Sequence, residues 1–137
     1  MSSALEAVKA VYSFFAAGEL DAFLALCDGD IEWVVNGPAS LEKCRAFHGR
    51  DGVRRFLEIL GGSWRFQSFE AREFFSQGNT VVVLGEEKGE TIASDESFEN
   101  RWAHVFDLEG GKIVRFREFL CHWSGGQRPP AMSWGPV

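Results

Sequence analysis

The stretch HVFDLEGGKIVRFREFLCHW, residues 104–123, decides the fold of this chain of 137 residues. Apolar and polar residues alternate on both sides of Gly110-Gly111, which is typical of two antiparallel strands joined by a tight turn. In both arms the even-numbered positions carry the apolar side chains, so this face of the hairpin is predicted to lie against the core. His104 and Glu118 lie on the same face. We therefore expect an imidazole and a carboxyl group inside the protein.

The turn decides whether these two side chains meet. Residues directly opposite each other in a hairpin point to the same side of the sheet. The even-numbered residues of both strands therefore share one side only if each even-numbered residue lies opposite another even-numbered residue. A three-residue turn with a glycine in the left-handed region gives that register, whereas a two- or four-residue turn does not. With the three-residue turn, His104 and Glu118 are directly opposed or one diagonal step apart, about 5 to 8 Å at Cβ.

Charge and cysteine usage narrow the class of protein. The formal net charge is −6, and the only adjacent basic pair is Arg54-Arg55, which argues against nucleic acid and acidic lipid as partners. No run of eighteen apolar residues and no signal-peptide pattern is present, so no membrane association is expected. Cys27, Cys44 and Cys121 lack metal-ligand spacing, and their odd number indicates reduced core thiols in a cytoplasmic protein.

Aromatic residues are unusually frequent, with thirteen Phe and five Trp against one Tyr. This content suggests a core thick enough to line a cavity, a large apolar interface, or both. A Phe-rich core without a cavity explains the composition equally well.

Helices come first along the chain and long strands follow, which predicts a single α+β domain with helices on one face of a curved antiparallel sheet. Asp51 is predicted to cap the third helix and Gly61-Gly62 to end it. Residues 126–137 are predicted to form an irregular tail, which Trp134 could dock onto the domain. The predicted helices cover residues 4–17, 19–27 and 52–60, and the strands 31–35, 64–76, 79–89, 97–108 and 112–123.

Glu118 and His104 are the candidate catalytic residues. A carboxyl group among Phe and Leu side chains is costly to ionise, so its pKa should rise unless a cation compensates, and His104 is the nearest candidate for that role. The two would form an acid–base couple that titrates near neutral pH. The alternative is a buried hydrogen bond that only satisfies two polar groups. The predicted ligand-binding residues are Tyr12, Trp33, Asn36, Phe56, Glu87, Trp102, Phe116 and Leu120.

The roles of three further polar residues are left open by the sequence. Glu87 lies on a strand with two apolar faces, so its direction is ambiguous; His48 is expected in a surface loop, and His122 at a strand end. The motifs of serine hydrolases, phosphate-binding loops and zinc proteases are missing. We expect no metal and no nucleotide cofactor.

The order of elements, together with FFAAGELDAFLALCDGDIEW, FHGRDGVRRFL and HVFDLEGGKIVRFREF, resembles the SnoaL-like and ketosteroid isomerase-like proteins of the nuclear transport factor 2-like superfamily. The resemblance covers residues 5 to about 122. It implies a cone in which a bent sheet (the cystatin-like fold) wraps the first helix around an apolar pocket, and a homodimer through the outer sheet face.

The resemblance does not carry over a complete catalytic site. The base of ketosteroid isomerases falls near Val35 or Asn36, neither of which can take a proton, and their oxyanion carboxyl falls near His104, so steroid isomerisation is not expected. The two carboxylates of limonene epoxide hydrolases fall near Glu87 and Glu118, but their arginine falls at Gly85.

Three functions remain open from the sequence. In the first, Glu118 and His104 move a proton on a small hydrophobic molecule in an isomerisation, cyclisation, dehydration or water addition. In the second, the pocket binds such a molecule without chemistry. In the third, the chain is a dimeric interaction module whose inner face is filled by its own Phe side chains.

Overall fold

The structure, a computed structural model, describes residues 3–124. The predicted tail and the docking of Trp134 therefore lie outside the described residues. Within this range the fold is α+β, as predicted: three helices and an open, curved sheet of six strands.

The helices are α1 (Ala4–Ala17), α2 (Leu20–Ala25) and α3 (Gly49–Ser63). Ser3 caps α1 in a reciprocal capping box with Glu6, an arrangement that satisfies two backbone N–H donors at the helix start. Gly18 ends the helix with φ of 70°, a left-handed conformation that glycine adopts without steric cost.

Helix α3 is longer than predicted at both ends. It begins at Gly49, so Asp51 lies in its first turn rather than at the cap. A carboxylate in the first turn still stabilises the helix through its interaction with the helix dipole. It also continues through Gly61 and Gly62 to Ser63. Glycine lowers helix stability by about 1 kcal/mol without forbidding the conformation, and the helix ends only where Trp64 enters the core as the first residue of a strand.

The strands are β1 (Cys27–Asn36), β2 (Ala46–His48), β3 (Trp64–Gln77), β4 (Thr80–Thr91), β5 (Ser97–Glu109) and β6 (Lys112–Ser124). They lie in the order β2-β1-β6-β5-β4-β3. All neighbours are antiparallel except β1 and β6, which are parallel. The sequence did not predict β2, because three residues are too few to show a period. Residues 28–30, which lie between the predicted helix 19–27 and the predicted strand 31–35, are an irregular part of β1, between two sites of pairing with β6.

The β5–β6 hairpin reaches the predicted register by a different route. The turn has two residues, Gly110 and Gly111, both with positive φ, so the predicted three-residue turn is wrong. A β-bulge at Val114 adds one residue to β6, since Leu108 faces Ile113 whereas Asp107 faces Arg115. An extra residue in one strand flips the side chains beyond it.

The consequence of the bulge is that His104 lies directly opposite Glu118, as predicted. Between the turn and the bulge the inward residue is Ile113, which is buried. The even-numbered pattern had predicted Val114, which is only half-buried. The even-numbered face of β5 points inward along the strand, and Glu87 on β4 also points inward, with 4% of its surface exposed.

The core lies between the inner face of the sheet and the helices, with Val8 and Val11 of α1 and Val53 and Phe56 of α3 among its buried residues. The prediction of three core thiols holds only for Cys27, because Cys44 is half-buried and Cys121 is exposed on the outer face of β6. All three are free thiols. Among residues 3–124, no helix is long and apolar enough to cross a membrane.

Candidate active site

Three side chains from three elements form a buried polar chain. The Tyr12 hydroxyl of α1 lies 2.6 Å from His104 Nδ1 of β5, and His104 Nε2 lies 3.3 Å from Glu118 Oε1 of β6. His104 and Glu118 are each 5% exposed. The predicted contact between them is therefore present, and Tyr12 extends it to a third residue.

Aromatic rings fix the position of this chain. The indole of Trp102 stacks on the His104 imidazole with 3.8 Å between ring centroids, and Phe116 meets the same imidazole edge-on at 4.8 Å. Trp102 and His104 share a face of β5 because they are two residues apart, and Phe116 and Glu118 share a face of β6 for the same reason. Alternation along two strands thus places a polar pair inside an aromatic wall.

The electrostatics of Glu118 favour its ionised form. Burial alone would raise the pKa of its carboxyl, but the contact with His104 and the positive charge of Lys43 outweigh burial and hold that pKa below its usual value. Since His104 itself is neutral at neutral pH, the compensating cation that the sequence required is Lys43, which was not predicted. At neutral pH Glu118 is a carboxylate, which accepts protons and hydrogen bonds but donates none.

His104 and Tyr12 are held in their neutral forms. Burial lowers the pKa of His104, against the opposing effect of Glu118. Burial and the charge of Glu118 both raise the pKa of Tyr12 far above its usual value. Because Glu118 can only accept, the ring nitrogen that faces it, Nε2, carries the imidazole proton. Nδ1 then accepts a hydrogen bond from the Tyr12 hydroxyl.

Within the group formed by Tyr12, His104 and Glu118, two atoms have no hydrogen-bond partner among the described residues. They are His104 Nε2 and Glu118 Oε2. The 3.3 Å approach of Nε2 to Oε1 is a close polar contact that is not aligned as a hydrogen bond. A buried polar atom without a partner costs about 1–3 kcal/mol. Oε2 is therefore an acceptor available to a molecule other than the protein.

A second buried cluster lies beside the first. Lys43, 1% exposed, places Nζ 3.6 Å from Glu87 Oε2 and 4.2 Å from the ring centroid of Trp64. Asn100 Nδ2 donates to the same Glu87 oxygen at 2.8 Å, and Asn100 Oδ1 lies 2.7 Å from His122 Nδ1. Burial raises the pKa of Glu87, and the charge of Glu118 adds to this effect, while Lys43 and Asn100 oppose it.

The two clusters border one cavity of about 40 Å³. Tyr12, His104 and Glu118 line it from one cluster, and Lys43 and Glu87 from the other. The rest of its lining is apolar, and it comprises Val11, Phe15, Phe23, Trp33, Phe56, Leu57, Leu60, Phe69, Phe106 and Phe116. A space of this size holds a few water molecules or one functional group rather than a whole drug-sized molecule.

The structure brings most of the predicted site residues to this cavity and leaves three aside. Asn36, Trp102 and Leu120 are not among its lining residues. Asn36 Nδ2 donates to the backbone oxygen of Glu118, and Trp102 lies behind His104. Those that do line the cavity are Tyr12, Trp33, Phe56, Glu87, His104, Phe116 and Glu118.

Sequence reasoning missed Lys43 and the role of Asn100. Lys43 lies in the loop between β1 and β2, where a lysine is normally solvated, and no local pattern indicates that this loop folds over the cavity. Asn100 did leave a signal, since it is a polar residue on the inward, even-numbered face of β5. Among residues 3–124, no group of three or more His, Cys, Asp or Glu side chains is arranged to hold a metal ion.

Comparisons with known proteins agree with this fold. An NTF2-like protein from Burkholderia thailandensis E264 is 27% identical, with a TM-score of 0.80 over 88% of this chain and 92% of that chain. A proposed isomerase from Rhodopseudomonas palustris is 14% identical, with a TM-score of 0.72 over 88% and 90%. A proposed SnoaL-like polyketide cyclase, also labelled a carbohydrate phosphatase, from Mesorhizobium loti is 14% identical, with a TM-score of 0.70 over 86% and 99%.

No curated protein matches the chain in sequence. The family model described as the SnoaL-like domain matches residues 8–116, which include most of α1, all of α2, α3 and β1 to β5, and the first residues of β6. The chain therefore belongs to the SnoaL-like family, with the NTF2-like fold.

Proposed function

We propose that this SnoaL-like protein is an enzyme that moves a proton on a small hydrophobic molecule, with Glu118 as the general base. His104 holds the carboxylate through the Nε2 contact, and Tyr12 holds His104 in the required tautomer. The observation that carries the proposal is Glu118 Oε2, a buried acceptor without a partner among residues 3–124, on a carboxylate that lines a cavity.

The chemistry follows from the state of each group. The ionised carboxylate takes a proton from a C–H or O–H group of the ligand, and the electron pair of the broken bond stays on the ligand. Returning that proton to another atom gives an isomerisation, while other uses of the electron pair give cyclisation or dehydration. A base on a bound water would instead give water addition. A positioned base contributes about 10²- to 10⁴-fold in rate.

The names of two structures with the same fold are in keeping with this chemistry. One is that of a proposed isomerase and the other that of a proposed SnoaL-like polyketide cyclase. Both reactions need a proton transfer. At 14% identity the likeness shows the fold alone, so the proposal depends on the geometry of Glu118 in this chain.

The test is proton exchange into candidate substrates. The protein is incubated in D₂O with a panel of small apolar ketones, esters and alcohols, and deuterium incorporation is followed by mass spectrometry. We expect incorporation with the wild type and its loss in Glu118→Gln, a variant that keeps the shape of the side chain. Equal incorporation by both proteins would reject Glu118 as the base, provided that circular dichroism shows both to be folded.

A non-catalytic binding protein is the second candidate, and the tight aromatic wall around the cavity favours it. In that case a retained ligand, sought by native mass spectrometry of freshly purified protein, would bind equally to wild type and Glu118→Gln. Its affinity would instead fall when Trp102 or Phe116 is truncated. A cytoplasmic location, predicted from the cysteines, belongs to either proposal.

We also propose a homodimer through the outer face of the sheet. Phe75 and Phe119 point outward from β3 and β6 with 54% and 48% of their surfaces exposed, on the face where Val82 and Ala103 are half-buried. Burying exposed aromatic rings favours association. Sedimentation of Phe119→Asp should show a monomer where the wild type shows a dimer, and a wild-type monomer at micromolar concentration would reject this interface.

A further inference from the structure

An apolar groove adjoins the cavity on its helical side. It lies between α1, α2, α3 and the start of β3, and its volume is about 230 Å³. Its outer lining includes Phe14, Leu20, Trp64 and Phe66. Leu20 is one of the few large apolar side chains that are exposed in the described part of the chain. The groove is thus an open apolar surface of the folded domain.

The groove and the cavity share a wall. Phe15, Phe23, Leu57 and Leu60 line both spaces, so a layer one side chain thick separates them. Phe15 and Leu57 are only half-buried, so fewer neighbours restrain their rotamers than restrain those of the fully buried Phe23 and Leu60. A rotation of these two side chains would join the groove to the cavity.

The two spaces differ in chemistry. The inner cavity carries five ionisable side chains: Tyr12, Lys43, Glu87, His104 and Glu118. Among the described lining residues of the groove, Glu19 is the one ionisable side chain. The inner space is also far smaller, at about 40 Å³. A polar group fits the inner space, and an apolar body fits the outer one.

We propose that groove and cavity together form one two-part site for an amphipathic small molecule. Its head is a hydrogen-bond donor, such as a hydroxyl group, because the buried Oε2 of Glu118 is an acceptor without a partner among the described residues. Its body is a hydrocarbon chain or ring that lies in the groove. This inference rests on the proposed function for the position of the head, and it adds the ligand class and the binding site of the body.

Two neighbouring glycines of α3 give a matched pair of variants. Gly61 lines the groove and Gly62 does not. Both are exposed, and a Cβ on either would meet no heavy atom within 4 Å. Leucine is a better helix former than glycine, so Gly61→Leu and Gly62→Leu should both fold. Only the first would place a side chain in the groove.

The probes are 4-alkylphenols from 4-ethylphenol to 4-octylphenol, titrated into the protein by calorimetry. The phenol is the donor head and the alkyl chain is the body. In the wild type and in Gly62→Leu, affinity should rise about three- to fourfold for each added CH₂ that is buried. In Gly61→Leu the rise should stop early, with 4-ethylphenol unchanged and 4-octylphenol weakened by about tenfold or more.

Equal dependence on chain length in Gly61→Leu and Gly62→Leu would overturn the groove as a binding site, and so would the absence of binding by every phenol. Neither result affects the exchange test of Glu118. Conversely, a loss of the chain-length dependence in Gly61→Leu alone, together with normal proton exchange by Glu118→Gln, would support the two-part site and reject the proposed catalysis.

Discussion

Two glutamates in this protein are equally buried and differ in almost everything else. Glu87 and Glu118 are 4% and 5% exposed and both line the cavity. The pKa of Glu87 is raised, chiefly by burial, whereas that of Glu118 is lowered because the contact with His104 and the charge of Lys43 outweigh burial. Glu87 Oε2 meets both an ammonium and an amide, while Glu118 Oε2 meets neither among residues 3–124.

The difference teaches that burial alone does not identify a functional carboxylate. Glu87 already contacts Lys43 and Asn100. These contacts stabilise the fold and occupy the oxygen atom that a ligand would otherwise bind. Glu118 is ionised and has a free acceptor atom, which are the properties of a base. Four predictions test this division of roles, from the largest expected effect to the smallest.

The largest effect is expected on catalysis. With a substrate found by deuterium exchange, Glu118→Gln should lower the initial rate by about 10²- to 10⁴-fold, because the base is lost. The same change at Glu87 should cost less than about tenfold, since the Asn100 hydrogen bond persists to the new amide oxygen. A greater loss in Glu87→Gln than in Glu118→Gln would reverse the assignment of the two residues.

The next effect concerns stability. Lys43→Met removes one partner of a buried ion pair and should lower the free energy of unfolding by about 3–5 kcal/mol, measured in urea. Removing both charges in Lys43→Met/Glu87→Gln should restore much of that loss, because Glu87 then no longer carries a buried charge without its partner.

The double variant is the control for lost packing of the lysine side chain over Trp64. A double variant no more stable than Lys43→Met would mean that packing, and not the ion pair, accounts for the loss. Lys43 would then have no special relation to Glu87.

A smaller effect is expected at Tyr12, which lies at the opposite end of the polar chain from Glu118. Tyr12→Phe removes one hydroxyl that donates to His104 Nδ1, at a cost of about 0.5–1.5 kcal/mol in unfolding free energy. Nitrogen NMR of the imidazole should show Nδ1 losing its hydrogen bond in this variant. Tyr12 is the only tyrosine in the sequence, so all tyrosine ring signals in the spectrum of the wild type belong to it. An unchanged Nδ1 resonance would show that the 2.6 Å contact is not a hydrogen bond in solution.

The smallest effect is expected from mild acid. Burial lowers the pKa of both His104 and His122 in the fold, so between those values and about 6.5 the unfolded chain binds more protons than the native one. Stability must therefore fall as the pH decreases through about 6.5. Urea unfolding at pH 7.0 and pH 6.0, on either side of that value, measures the change, which His104→Asn should reduce and His122→Asn should reduce separately. A stability that rises over this interval would contradict the burial of neutral imidazoles.

Much of the fold could be predicted from the sequence because local patterns determine it. The alternation in β5 and β6 and the helical spacing in α1 identified these elements to within a few residues. The pair His104–Glu118 was found for the same reason, since parity along two strands fixes the face on which each side chain lies. The predictions were wrong where no period exists, as in β2, or where glycines tolerated two conformations, as at the end of α3.

The parts of the site that escaped prediction depend on contacts between segments distant in sequence. Nothing in the loop around Lys43 indicates that its ammonium ends beside Glu87 and over Trp64, because the loop is positioned by its contacts with the sheet. The groove is likewise made by three helices and a strand, none of which shows by itself that an opening lies between them. The roles of all these residues in binding stay predictions until a ligand is found.

The sequence by itself determined the class of fold and the inward direction of His104 and Glu118, because side-chain direction in a strand has a period of two and needs no tertiary information. Only the tertiary structure decided how the register is reached, through the bulge at Val114. It also decided that the pKa values of two equally buried glutamates shift in opposite directions, because a pKa depends on which groups, brought from other elements, lie within a few ångströms of the carboxylate.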